Sequence, residues 1–414
     1  MKKLMFLVLV VVVLAAGFVS CAKGPSQLVI NSYMSDEKPK AAFQAEVDAF
    51  QKANPGIKVT VNTTAHEQFK TLLSSYLTSK DAPDIVSWFA GYRMQSFAAK
   101  GLLEPIDTVF PGGSIDKEFP KAFKGASSYM GKVYFMPQSW YWWAVYYNKD
   151  VFAKIGVKEA PKTWDDFLKV CEAAKKAGIA PVTIGAKDTW TTGGWFDYVN
   201  AAVNGGDAHQ KLTGGSVAYT DPSVKESFKI LADLSSKGYL LKNAASLSWQ
   251  EAVTPLVEGK AAMYLMGQFI MDSVPAAKKS SIDFFAFPMI KQTTYSVDTP
   301  TDGFMMPKNA KNKDNAKKFL AFLASKESQA RFCGTLGRLA ANVNVPISDP
   351  ITQKGADMVK GAALATQFYD RDAPEEMAAK GMNAIVDIWA NPAKMDEILA
   401  NLDKERVRIY ADLK

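Results

Sequence analysis

The sequence predicts an α/β fold built on parallel strands with crossover helices. Three observations predict it. Strand-like and helix-like segments alternate from Leu28 to Val86. The alternation resumes at Val133 and continues to the C-terminus. The chain has 414 residues, 48% hydrophobic and 22% charged, which is a globular composition and excludes a disordered or fibrous chain. This length suits two or three domains of about 100–200 residues each. It also buries a large core without staples.

The elements follow in order. Leu28-Val29-Ile30 reads as a first strand, and Ser35 to Pro39 as a polar loop. Ala42, Phe43, Val47 and Phe50 recur at helical spacing until Asn54-Pro55-Gly56. Ile57 to Val61 alternates as a strand. Phe69, Leu72, Leu73, Tyr76 and Leu77 mark a second helix, and Asp84-Ile85-Val86 a third strand. Helix-length connections between strands imply a parallel sheet. Further on, Val133 to Phe135 and Trp142 to Tyr147 read as strands. Trp164 to Lys176 reads as a helix with Thr163 as its N-cap and Asp165 and Asp166 in its first turn, where the helix dipole favours negative charge. Pro181 to Ile184 is a strand, and Val224 to Lys237 a helix ended by Gly238. Ala261 to Leu265 and Phe284 to Phe287 are strands. Asn315 to Phe332 and Met395 to Tyr410 are helices. No internal repeat or low-complexity block interrupts them.

The N-terminus sets a compartment. Lys2 and Lys3 precede an apolar run from Leu4 to Leu14, then Ala15, Ala16 and Gly17. This is the pattern of a signal peptide over 1–20. The apolar run is short for a membrane span, which needs about 20 residues. Phe18-Val19-Ser20-Cys21 resembles a bacterial lipobox, with Phe18 departing from the usual Leu. That resemblance implies a lipid on Cys21, a tether over 21–27, and anchoring without spanning. The alternative is an ordinary secretory signal with an incidental cysteine. Cys171 and Cys333 read as two buried thiols, with a disulfide between them left open.

Charge and composition exclude several classes. The formal charge of +7 falls nearer +5 without Lys2 and Lys3, too diffuse an excess for a nucleic-acid partner. Two histidines and three cysteines argue against a metal site built on those ligands. There is no G-x-S-x-G, no H-E-x-x-H and no glycine-rich phosphate loop, so neither a catalytic residue nor a cofactor is expected. The paired carboxylates Asp165-Asp166 and Glu375-Glu376 are adjacent on helices and do not face each other. They read as solvated charges or helix N-termini.

A series of segments then points one way. Phe50 to Val59, ending in Asn54-Pro55-Gly56-Ile57-Lys58-Val59, is followed by Ala82-Pro83-Asp84-Ile85-Val86 and Gly101-Leu102-Leu103-Glu104-Pro105-Ile106. Gly131-Lys132-Val133-Tyr134, Tyr147 to Phe152, and Pro161-Lys162-Thr163-Trp164-Asp165-Asp166-Phe167 come next. Glu258 to Met263 and Pro307-Lys308 complete the order. Together they resemble extracellular solute-binding protein family 1, the carbohydrate-binding components of ABC importers, including the maltose-binding relatives. The resemblance thins after Leu339. It implies a two-lobe periplasmic-binding-protein fold of type II, with a central cleft and hinge strands. The first lobe would take 27–137 plus 289–338, and the second 139–285 plus 342–414. The chain would cross near Gln138, Pro288 and Gly337.

The same resemblance nominates ligand residues. Ser35 and Asp36 end the first strand, and His66 precedes the second helix, where a capping or surface role is the alternative. Trp88, Gly91 and Tyr92 follow the third strand. Ser139 and Tyr141 sit at the first crossing, with Trp140 and Trp143 more readily core. Trp190 falls where relatives place an aromatic beneath a sugar. Gly267, Gln268 and Phe269 match a turn after a strand, and Asp302 and Gly303 another. A sugar offers in-plane hydroxyls to polar groups and C–H faces to rings, which this mixture suits. For any single tryptophan, core packing is the alternative. Arg338 reads as a structural ion pair at the hinge. The implied partners are a small carbohydrate, the permease subunits and, through the lipid, the membrane. The protein would be a monomer in the cell envelope, outside the cytoplasm. A sugar sensor or adhesin of the same fold, or a polyamine or glycerol phosphate ligand, remains open.

Overall fold

The computed structural model describes residues 26–411; the leader, Cys21 and most of the expected tether lie outside the described residues. Ser26–Ser32 runs parallel to Ile57–Thr63 on one side and to Ile85–Phe89 on the other. The helices Glu37–Ala53 and His66–Thr78 make the two crossovers. Their apolar stripes cause the packing. Ala42, Phe43, Val47 and Phe50 on the first, and Phe69, Leu73 and Leu77 on the second, are all buried. Phe50 and Phe43 each set an edge against Phe319.

The three strands read as parallel from sequence are parallel, but the sheet they belong to is mixed. Thr301–Met305 inserts antiparallel between Ile85–Phe89 and Phe135–Trp140. Leu339–Ala340 closes the edge beyond Phe135–Trp140. The full order is Leu339–Ala340, Phe135–Trp140, Thr301–Met305, Ile85–Phe89, Ser26–Ser32, Ile57–Thr63. Strands that arrive from far along the chain carry no local mark of their direction, so sequence spacing cannot assign them.

A second sheet holds Ile282–Phe285, Trp143–Asn148, Ala261–Gly267 and Ala180–Val182 in that order. Only the last two pair in parallel. Each sheet has its own core. One gathers apolar side chains from Leu28 to Met136 and from Phe304 to Ala341. The other gathers Tyr141 to Val297, Leu339, and Phe368 to Ile409. This is a two-lobe molecule. Cys171 lies in one core and Cys333 in the other, both as free thiols.

Two further differences from the sequence expectation have clear causes. The helix expected over Asn315 to Phe332 is two helices, Lys313–Ala324 and Lys326–Leu336. Ser325 between them is extended, and its Oγ accepts the Ser328 N–H, so it caps the second. The chain also forms Trp190–Asn204, a helix buried on all sides, to which spacing assigned no element. Its Thr191-Thr192-Gly193-Gly194 start is poor helix sequence. Packing overrides propensity there: a Cβ on Gly194 would stand 2.6 Å from the Trp143 ring.

Candidate ligand-binding cleft

The cleft between the two sheets has a volume of about 830 Å³. That is within the range of small-molecule sites, about 300–1,000 Å³. Its first wall comes from the carboxyl ends of the parallel strands, where open α/β sheets bind ligands. Ser26–Ser32 leads into Tyr33, Ser35 and Asp36. Ile85–Phe89 ends in Phe89. The first turns of His66–Thr78 add His66, Glu67 and Lys70. Most of this wall is polar. Glu67 is tied to His66 at 2.9 Å and Lys70 at 3.2 Å. Burial pushes its carboxyl up, but those bonds outweigh it and hold the group down at about 2.

The opposite wall is aromatic. Tyr141, Trp143, Trp190, Trp249, Phe269 and Phe368 line it. Trp143 stacks on Phe368 at 4.7 Å between centroids, and Phe269 meets Trp249 edge-on at 5.0 Å and Tyr141 at 5.2 Å. Trp190 stands edge-on to Trp143 at 6.0 Å. It follows Thr189, whose backbone is left-handed at φ +37°. That conformation is costly for a β-branched residue and persists where the surroundings impose it. Here it turns the chain so that Asp188 and Trp190 both reach the cleft. Asp188 has no hydrogen-bonded or ionic side-chain partner among the described residues, and burial raises its pKa.

Arg371 joins the walls at the floor. It donates to Asp302 at 3.0 Å and to the Tyr141 hydroxyl at 2.9 Å, and its guanidinium lies 4.0 Å from the Phe89 ring centroid. Lys38 bonds Asp272 at 2.9 Å, Gln250 bonds Asp36 at 3.3 Å, and Lys70 bonds Asp370 at 3.3 Å. Arg338 also lies 3.6 Å from Asp272, as an ion pair beside the crossing.

The structure brings seven of the nominated residues onto the cleft lining: Ser35, Asp36, His66, Tyr141, Trp190, Phe269 and Asp302. The other seven stand behind it. Trp88 is fully buried against Phe69, Phe97 and Arg93, because strand alternation turns Trp88 inward and Phe89 to the cleft. Gly91 backs the Arg371 turn, with a Cβ position 3.9 Å from the Arg371 carbonyl, and Tyr92 opens the helix behind it. Ser139 sits in a strand interior between Asp302 and Ala340. Gln268 spans a crossing, donating to the Leu336 carbonyl at 3.1 Å. Gly267 leaves room for the Phe269 ring, and Gly303 lets two strands meet. Sequence reasoning missed Arg371, Asp370, Phe368, Trp249 and Asp188. The run Phe368-Tyr369-Asp370-Arg371-Asp372 sets charges inside an aromatic stretch, a signal that was there to find.

The described residues contain no cluster of His, Cys, Asp and Glu fit for a metal ion, and no helix long and apolar enough to cross a membrane. Residues 35–330 match the profile of a family described as bacterial extracellular solute-binding protein. An uncharacterised ABC transporter extracellular-binding protein of Pyrococcus horikoshii is 28% identical over 361 residues, 83% of this chain and 80% of that one. A probable sugar-binding periplasmic protein of Mesorhizobium japonicum is 29% identical over 309 residues, 72% of each chain. Among solved structures, a bacterial solute receptor described as having an exclusive preference for β-D-galactopyranose superimposes with a TM-score of 0.88 at 32% identity, over 94% of this chain and 100% of that one.

Proposed function

Because the chain belongs to the bacterial extracellular solute-binding proteins, we propose that it captures a sugar or short oligosaccharide in the interlobe cleft and delivers it to the permease of an ABC importer. One observation carries the sugar reading: an aromatic wall faces a polar wall across about 830 Å³. Rings such as Trp190 and Trp249 cover the C–H face of a pyranose. Asp36, His66 and Asp188 meet its hydroxyls. Unmatched polar partners cost about 1–3 kcal/mol each, so the same groups select among sugars. The galactose preference of the similar receptor supports this reading.

Binding proceeds without covalent chemistry. The lobes, 27–137 plus 289–338 and 139–285 plus 342–414, hinge at the three crossings. Ligand contacts to both lobes bias the equilibrium towards the closed form, which docks on the permease. Cys21 carries the lipid that anchors the monomer to the membrane, outside the cytoplasm.

A thermal-shift screen of the chain from Ala22 onward against a carbohydrate panel tests this. A cognate sugar at 100 times its dissociation constant should add about 2.7 kcal/mol of stability. A shift with polyamines or phosphate esters alone would keep the fold and overturn the sugar assignment.

A further inference from the structure

The aromatic wall is backed by a buried polar cluster that no cleft contact uses. Asp197 lies on Trp190–Asn204, Asp298 ends the strand Ser296–Asp298, and His209 lies on Gly206–Thr213. All three are sealed from solvent. Asp197 Oδ2 accepts the Tyr369 backbone N–H at 2.9 Å. Asp298 Oδ1 accepts the Thr366 hydroxyl at 2.5 Å, and Ser296–Asp298 pairs in parallel with Leu364–Thr366. The segment 366–372 pinned in this way carries Phe368, Asp370 and Arg371 of the cleft lining.

We propose that Asp197 and Asp298 are positioning residues for ligand binding, which set the segment 366–372 against the cleft. This rests on reading the cleft as the ligand site. Asp197 Oδ1 and Asp298 Oδ2 each lack a hydrogen-bond donor among the described residues. The two side chains lie within hydrogen-bonding reach of each other. Two bare carboxylates would repel there with little screening. One proton held between them gives both a partner. His209 does not replace it: Nε2 is 3.0 Å from Asp197 Oδ1 but off the line of a hydrogen bond. Its Nδ1 faces the Asn200 amide at 3.0 Å.

The charged surroundings favour the shared proton. Asp370 and Asp372 add negative charge beside Asp197, and Tyr198, Tyr219 and Tyr369 supply only phenols. Burial pushes both carboxyls well above the usual range and pulls His209 below its own. A carboxyl raised in the folded state stabilises it most at acidic pH. That contribution fades as pH rises through the unfolded value towards the folded one. Loosening of the segment should therefore grow as pH rises.

The test reads amide-exchange protection at Tyr369 without ligand, and affinity for a panel sugar, from about pH 6 to pH 10. In the wild type both should fall at high pH. Asp298→Asn supplies a permanent donor, so it should hold neutral-pH affinity within about threefold and flatten both profiles. Asp197→Ala should speed Tyr369 exchange and weaken binding about tenfold or more. Unchanged Tyr369 protection in Asp197→Ala would overturn the positioning role, whatever the ligand does. Lost protection with unchanged affinity would overturn the link to binding. If the wild type binds no sugar, the cleft reading fails by itself, and the exchange profiles still decide whether the pair holds the segment.

Discussion

Arg371 shows how much one side chain decides at the residue scale. Its fork bonds Asp302 and Tyr141 while its face lies on Phe89. Asp302 and Phe89 come from one sheet, and Tyr141 from the chain leaving it. A lysine has no planar fork and cannot do all three. Arg371→Lys should therefore weaken sugar affinity by about tenfold, or about 1.4 kcal/mol, in a calorimetric titration. An affinity within twofold of the wild type would mean that the floor is not part of the ligand's surroundings. Sequence reasoning found the Asp302 end of this contact and not the arginine. The resemblance that located Asp302 thins after Leu339, and Arg371 lies beyond that point. The neighbouring nomination of Trp88 failed differently. The resemblance put it in a loop after the third strand, whereas the strand runs on to Phe89 and its period of two decides which ring faces the cleft.

The strand Thr301–Met305 is the element on which the first lobe closes. It lies between Ile85–Phe89 and Phe135–Trp140, and its register shifts between Asp302 and Gly303. Gly303 allows that approach, since a Cβ there would fall 2.0 Å from the Met136 carbonyl oxygen. Gly303→Ala should lower stability by about 3 kcal/mol or more in urea unfolding, because backbone must move. A loss under about 0.5 kcal/mol would show that the strands can part without cost. Elements with their own periodicity were legible from sequence. Trp164–Lys176 is one, with its Thr163 cap bonding the Asp166 N–H, and so are the first three strands with their two helices. Illegible elements took their shape from distant partners. Trp190–Asn204 is helical despite its sequence, and the break at Ser325 looks like any helical serine until its backbone is seen.

At the scale of the whole molecule, the two lobes meet through charge as well as through the crossings. Lys38 from the first helix bonds Asp272 from the other lobe at 2.9 Å, and Asp36 meets Gln250 beside it. Lys38 is more than a third exposed, so the pair is worth little to stability, about 0–1 kcal/mol. On the proposed mechanism, its effect belongs to the open–closed equilibrium. Lys38→Ala should leave the thermal midpoint of the ligand-free protein unchanged. It should raise the dissociation constant about two- to fivefold at low salt, mostly through faster release. The effect should shrink with added salt, as stopped-flow fluorescence would show. A slower release would mean that this contact obstructs closure. The second lobe's completion by Glu375–Ala390 and Met395–Ala411 was half legible. The last helix shows its spacing, but nothing local says which lobe it joins.

The placement of Thr301–Met305 has a temporal meaning. During synthesis, Ile85–Phe89 and Phe135–Trp140 emerge more than 160 residues before the strand that separates them. Until then each offers an unpaired edge, and both carry large apolar side chains such as Val86, Phe89 and Phe135. The first lobe is thus the first to be started, yet it cannot finish until the middle of the chain, which builds the other core, has been made. A nascent chain of this protein elongates through the whole stretch from Trp140 to Thr301 with two adhesive edges waiting for one strand. Whatever keeps those edges from each other, or from a neighbour's, is a requirement written into the order of the strands.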